Sequence, residues 1–253
     1  MRLQDKVALI TGGGSGIGAA SAWHMAREGA AVVLAGIPAQ GVEEEAQRLR
    51  AAGHRALGLP TDVAQPDQVK AAVAATVAEF GRLDIAVASA AVQLHDRDHT
   101  LHELDEDVWD MTHNINFRGV FVTCKYAIAQ MLQQETGGSL VIISSVTAMG
   151  GGSANVSYLT GKHGLLGLNR HIGKHYGRQG IRCNCLCPGA LERTPNHDIH
   201  PDPEGRAASL ANSIPLGRPA TPQDIAPWVT FLASDESWYA NGAHFLVDGG
   251  MSA

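Results

Sequence analysis

Val7-Ala8-Leu9-Ile10-Thr11 is a short apolar stretch that breaks straight into Gly12-Gly13-Gly14-Ser15-Gly16-Ile17-Gly18, and an alanine-rich helical pattern follows without a gap. Strand, glycine turn and helix in that order open a βαβ unit whose turn can hold a dinucleotide. In such a unit Gly12 lets the chain turn tightly, Gly16 lets backbone approach a pyrophosphate, and Gly18 lets the helix pack on the sheet. Free N–H groups at the helix start then meet the phosphates.

The alternation continues along the chain. Val7–Thr11, Ala31–Ala35, Ala56–Leu59, Ile85–Ser89, Ser139–Ser144, Ile181–Cys187 and His244–Val247 read as strands. Ile17–Glu28, Gly41–Ala52, Pro66–Phe80, Asp105–Gln133, Ser157–Arg178 and Pro222–Ala233 read as helices, several opened by Asp, Ser or Thr and closed by Gly. Seven strands separated by helices predict an α/β chain, a doubly wound, seven-stranded parallel sheet with helices on both faces. No Pro/Ser-rich linker divides the 253 residues, so one domain over 1–253 accounts for them. The stretch 190–216 breaks the rhythm: Pro195, Pro201, Pro203 and Pro215 and weak apolar periodicity mark a substrate loop or lid.

Charge and composition exclude classes of partner. Nineteen Lys and Arg against 25 Asp and Glu leave a formal charge of −6, with no basic cluster. The electrostatic footprint of a nucleic-acid binder is therefore missing. No apolar run approaches the length of a membrane span and Met1 to Gly14 holds no export signal, so a cytoplasmic chain without a membrane partner is expected. Its four cysteines are then reduced thiols. Cys183, Cys185 and Cys187 alternate along one strand at steps of roughly 6.5–7 Å, too wide for tetrahedral zinc. His171 with His175, and His197 with His200, lack a third ligand, and no metal is expected.

About twenty positions after the glycines, where an Asp would bond the adenosine ribose or an Arg would pair with an extra phosphate, the chain reads Leu34-Ala35-Gly36-Ile37. A phosphate without a cationic partner is costly to desolvate, which leans the reading to NAD(H) and leaves NADP(H) open. Asp62 could accept a bond from the adenine amino group or cap its own turn. Further on, Tyr158 and Lys162 stand four residues apart on one helix face. A free phenol titrates near pH ~10. The ammonium of Lys162, with an oxidised nicotinamide, would move it toward the working range of a general acid/base.

Thr11–Gly18, Asn116, Ser145, Tyr158 with Lys162, Pro188-Gly189 and the closing Val247-Asp248-Gly249-Gly250 occur in the order of the short-chain dehydrogenases/reductases, which the chain resembles over nearly its whole length. The resemblance implies a Rossmann sheet and hydride transfer between nicotinamide and an alcohol or carbonyl. It implies that Ser145 bonds the substrate oxygen, Tyr158 exchanges its proton, Lys162 also binds the nicotinamide ribose, and Asn116 holds a relay water. Cofactor contacts are implied at Gly12, Ser15, Gly16, Ile17, Gly18, Ile37, Asp62, Val63, Ala90, Tyr158, Lys162, Pro188 and Gly189. A homotetramer is implied too, built through the long helices and the last strand.

Four departures accompany the match. Ala88-Ser89-Ala90-Ala91 replaces the usual Asn-Asn-Ala-Gly, and Thr160-Gly161 replaces Ala-Ser; Arg193 takes a threonine position, and Gly36 takes the ribose-reading one. Substrate walls are expected from Gln93–Thr100, Thr147–Asn155 and the loop from Ala190. His95, Arg97, His99, Asn155, Arg193, His197, Asp198 and His200 there suit a hydroxylated or anionic small molecule. Two other readings stay open: a nucleotide-binding regulatory protein without chemistry, and an isomerase or lyase on the same fold.

Overall fold

The computed structural model describes residues 1–151, 153, 155–192 and 211–253. Seven strands form one parallel sheet: β1 (Val7–Thr11), β2 (Ala31–Gly36), β3 (Ala56–Pro60), β4 (Ile85–Ala88), β5 (Gly138–Ile143), β6 (Ile181–Pro188) and β7 (His244–Val247). Their order is β3-β2-β1-β4-β5-β6-β7 and each neighbouring pair is parallel. The direction of winding reverses between β1 and β4, and the crevice that this leaves at the carboxyl ends is where α/β sheets bind ligands.

The strands are apolar nearly throughout because both faces are covered. Side chains alternate between two cores: Leu9, Val33 and Ala35 enter one, while Ala8, Ile10, Val32 and Leu34 enter the other. The first core packs α3 (Pro66–Phe80), α5 (Gly119–Gln134) and α6 (Val156–Tyr176) on the sheet; the second packs α1 (Gly16–Arg27), α2 (Ala39–Ala51) and α7 (Pro222–Ala233). Cys183, Cys185 and Cys187 all enter the first core, where the thiols are free and buried. Burial also pushes the neighbouring Cys124 thiol up to about 12.

The expected helix over Asp105–Gln133 is a continuous helical path in three pieces. α4 (Glu106–His113) widens into a π turn at Asn114–Arg118 before α5 begins. Such a one-turn bulge frequently marks a functional site, and this one holds the fully buried Asn116. A short 3₁₀ turn, Val146–Met149, follows β5.

Candidate active site

A cleft of about 950 Å³ opens at the carboxyl ends of the strands. Its floor is the glycine turn. Gly12 and Gly16 have φ of 69° and 52°, which L side chains rarely adopt. A methyl group on Gly18 would overlap the Gly12 carbonyl oxygen, so this glycine holds the turn tight without itself lining the cleft. Ser15 caps α1 with an extended backbone but makes no side-chain bond to it, and the first turn carries no acidic residue. The first N–H groups of α1 are thus left without a cap from the chain at the edge of the cleft, a donor set that fits a pyrophosphate. Thr11 ties this turn to β4: its hydroxyl donates to the Val87 carbonyl (3.4 Å) and accepts from the Ser89 and Ala90 N–H groups (3.2 and 3.4 Å).

One end of the cleft runs past Gly36, Ile37, Asp62 and Val63. Ile37 is 66% exposed, and Asp62 Oδ1 accepts from the Ala64 N–H at 2.9 Å, so the carboxylate caps its own turn while it lines the cleft. Among the described residues that line the cleft, Asp62 and Lys162 are the charged side chains.

At the other end Ser145, Tyr158 and Lys162 share a wall, beside Ala90, Pro188 and Gly189. Ser145 caps the 3₁₀ turn: its Oγ accepts from the Thr147 N–H and donates to Thr147 Oγ1, each at 3.1 Å. The neighbouring Ser145 hydroxyl acts to lower the Tyr158 phenol. Burial nevertheless pushes the Tyr158 phenol up to about 12. Lys162 Nζ stands 5.4 Å from the centre of the Tyr158 ring and donates to the Ile143 carbonyl at 2.9 Å. Burial lowers this ammonium to about 8. The sequence leads one to expect Lys162 together with an oxidised nicotinamide to pull the phenol down; within the chain alone, burial is the largest influence on both groups, raising the phenol and lowering the ammonium.

Asn116 lies behind this wall rather than on it. Its Oδ1 accepts from the Val92 N–H at 2.8 Å and its Nδ2 donates to the Val92 carbonyl at 2.7 Å. The amide therefore clamps the strand-end segment on which Gln93 faces the cleft. Thr147 and Gln93 are polar lining residues that the sequence did not single out individually. His95, Arg97, His99 and Asn155, expected as substrate walls, do not line the cleft. Arg97 pairs with Asp107 at 2.7 Å, and Asn155 donates to the Asp98 carbonyl. Arg193, His197, Asp198 and His200 lie outside the described residues, as does most of 190–216.

A family model described as Enoyl-(Acyl carrier protein) reductase matches residues 12–252. L-rhamnose-1-dehydrogenase of Scheffersomyces stipitis is 38% identical over 253 residues, which cover 98% of this chain and 96% of that protein. Cis-4-hydroxycyclohexanecarboxylate dehydrogenase of Sinomonas cyclohexanicum is 39% identical over 249 residues, 98% of this chain and 97% of the relative. The crystal structure of levodione reductase superposes with a TM-score of 0.92 at 34% identity, covering 99% of both chains. Matches of this extent, on a cleft that places a glycine turn opposite a tyrosine and a lysine, make the chain an NAD(P)-dependent oxidoreductase of alcohols and ketones and a member of the short-chain dehydrogenase/reductase family.

Proposed function

We propose that Tyr158 is the acid/base of a reversible alcohol oxidation, that Ser145 hydrogen-bonds the reacting oxygen, and that Lys162 positions Tyr158 and the cofactor ribose. The observation that carries this reading is the meeting of Ser145, Tyr158 and Lys162 on one cleft that the glycine turn also lines. A nicotinamide dinucleotide supplies or accepts the hydride when bound. The chain's own part is the proton: Tyr158 gives it to the oxygen of a ketone, or takes it from an alcohol. Ser145 adds a donor to an oxygen that gains negative charge during reduction, where a preorganised hydrogen bond counts most. Gly12, Ser15, Gly16 and Ile17 would hold the phosphates, Ile37, Asp62 and Val63 the adenosine, and Ala90, Lys162, Pro188 and Gly189 the nicotinamide half. Asn116 acts through its clamp on Val92.

NAD(H) is the preferred cofactor in this reading. No described cationic side chain lines the adenosine end, and the Asp62 carboxylate there would repel an added phosphate. The substrate is a small hydroxylated molecule. Gln93 and Thr147 offer polar groups near the reacting oxygen, and the two dehydrogenases above are named for a sugar and a hydroxylated ring acid. A cytoplasmic homotetramer completes the proposal. Phe121 and Leu132 on α5, Leu246 on the edge strand β7 and the 86% exposed Tyr239 offer apolar surface for subunit contacts, and light scattering would test it. The deciding experiment is a titration of the purified protein with NADH and NADPH, followed by an absorbance screen of polyols, sugars and cyclic alcohols. Saturable NADH binding with turnover of a secondary alcohol is expected. Binding without net turnover of any alcohol would overturn the assignment.

A further inference from the structure

Asp98 has no part in the chemistry above, yet it is 1% exposed in a segment whose sequence, His95 to Thr100, reads as solvated loop. Its carboxylate lies on the first turn of α6. Oδ1 accepts from the Ser157 N–H at 3.0 Å and from the Ser157 hydroxyl at 3.1 Å, and Oδ2 accepts from the Tyr158 N–H at 2.9 Å. The Asp98 carbonyl accepts from the Asn155 amide, and the His99 carbonyl from the Val156 N–H at 3.4 Å. The segment is itself folded back, with the Asp98 N–H donating to the Leu94 carbonyl at 2.7 Å.

A buried carboxylate is costly unless its charge is met. No described Lys or Arg forms an ion pair with Asp98. What meets it is the positive end of a 21-residue helix, through two backbone donors and a hydroxyl. Among the described residues that helix end has no other side-chain cap: Asn155, at the N-cap position, spends its side-chain amide on the Asp98 carbonyl and makes no cap bond to the helix, and the first turn contains no acidic residue. Helix ends fray when their first N–H groups are left unpaired. In α6 the first turn carries Tyr158 itself.

We propose that Asp98 is a positioning residue for Tyr158, a cap supplied from the segment after β4 that locks the first turn of α6 and makes the phenol and the Gln93 side of the cleft one rigid unit. The inference rests on Tyr158 being the proton-transfer group. A displacement of about 1 Å at a reacting group can cost on the order of 100-fold in rate, so a loosened first turn reads out in kcat before it reads out in binding. Among the described residues, the glycine turn that would hold the cofactor phosphates makes no contact with Asp98, so cofactor affinity is expected to be insulated from this cap.

The test compares wild type with Asp98→Asn and Ser157→Ala by steady-state kinetics on an alcohol found in the screen, NADH fluorescence titration, and hydrogen exchange of the 156–162 amides. Asp98→Asn should lower kcat at least tenfold, leave the NADH dissociation constant within twofold and the alcohol KM within threefold, and speed exchange at Ser157 and Tyr158. Ser157→Ala, which removes one donor only, should lower kcat two- to fivefold with the same pattern. A kcat within twofold of wild type in both variants overturns the proposal, as does a parallel loss of cofactor affinity, which would mean general loosening. If Asp98→Asn does not fold, Ser157→Ala decides by the same criteria. If wild type turns over no alcohol, the functional reading fails, and unchanged exchange at Ser157 and Tyr158 in the variants would still overturn the capping role separately.

Discussion

The two ends of the cleft are built from different materials. The end proposed to hold the phosphates is backbone: glycines at positive φ, an uncapped helix start, and a Gly18 that must lack a side chain because the Gly12 carbonyl fills its place. The end proposed to carry the reaction is side chain, and its parts arrive from far apart. Asn116 reaches Val92 across 24 positions and Asp98 reaches Tyr158 across 60. A backbone site tolerates little change in shape, whereas a side-chain site can lose its chemistry and keep its shape.

The sharpest test of that contrast is Tyr158→Phe. Turnover should fall by roughly 10³-fold, within the range that acid/base groups contribute, while NADH still binds in a fluorescence titration. Residual activity near wild type would break the comparison at its reaction end. Gly18→Ala probes the other end: the added methyl meets backbone that cannot swing aside, and a loss of about 2–4 kcal/mol in stability, together with cofactor binding, is expected. A calorimetric scan with and without NADH would show it, and an unchanged scan would refute the packing role.

Lys162→Met asks what the reaction end costs the fold. Burial lowers the ammonium to about 8 from an unfolded value of 10.5, so the unfolded chain binds the proton more tightly and the buried lysine destabilises the fold below pH 8. The variant should lose activity yet gain about 1–3 kcal/mol at pH 7. That gain should close between about pH 8 and pH 10.5, as denaturant melts at several pH values would record. The smallest effect is expected at Gly161, between the tyrosine and the lysine. A Cβ there would stand 4.0 Å from Asn116 Cβ and His113 Nε2, ordinary contact distances. Gly161→Ala should then add about 0.5–1 kcal/mol of helix stability with kcat unchanged. A drop in kcat would show that the reaction end also depends on backbone freedom.

The same contrast explains what was legible beforehand. The strand-turn-helix at Val7–Gly18 and the Tyr158–Lys162 spacing are visible because each is local: the residues that matter lie within one turn or one element of each other. The alternation of strands and helices is visible for the same reason. Asn116 can be picked out only by its likeness to a family, and its π turn and its grip on Val92 leave no mark in the pattern around it. His95, Arg97 and His99 look as polar as Asp98, yet none of them lines the cleft while Asp98 is buried against a helix end. No local rule separates one polar loop residue from the next when the partner lies 59 positions away.

By itself the sequence determined the sheet, the glycine turn and the helical tyrosine-lysine pair, since strand period, helix period and glycine sterics act over a few residues. Only the tertiary structure decided how far Tyr158 and Lys162 are desolvated and what supports the wall they share. Desolvation of Tyr158 and Lys162, the Val92 clamp and the Asp98 cap all depend on which distant segments exclude water from a group, and that is a property of packing rather than of spacing.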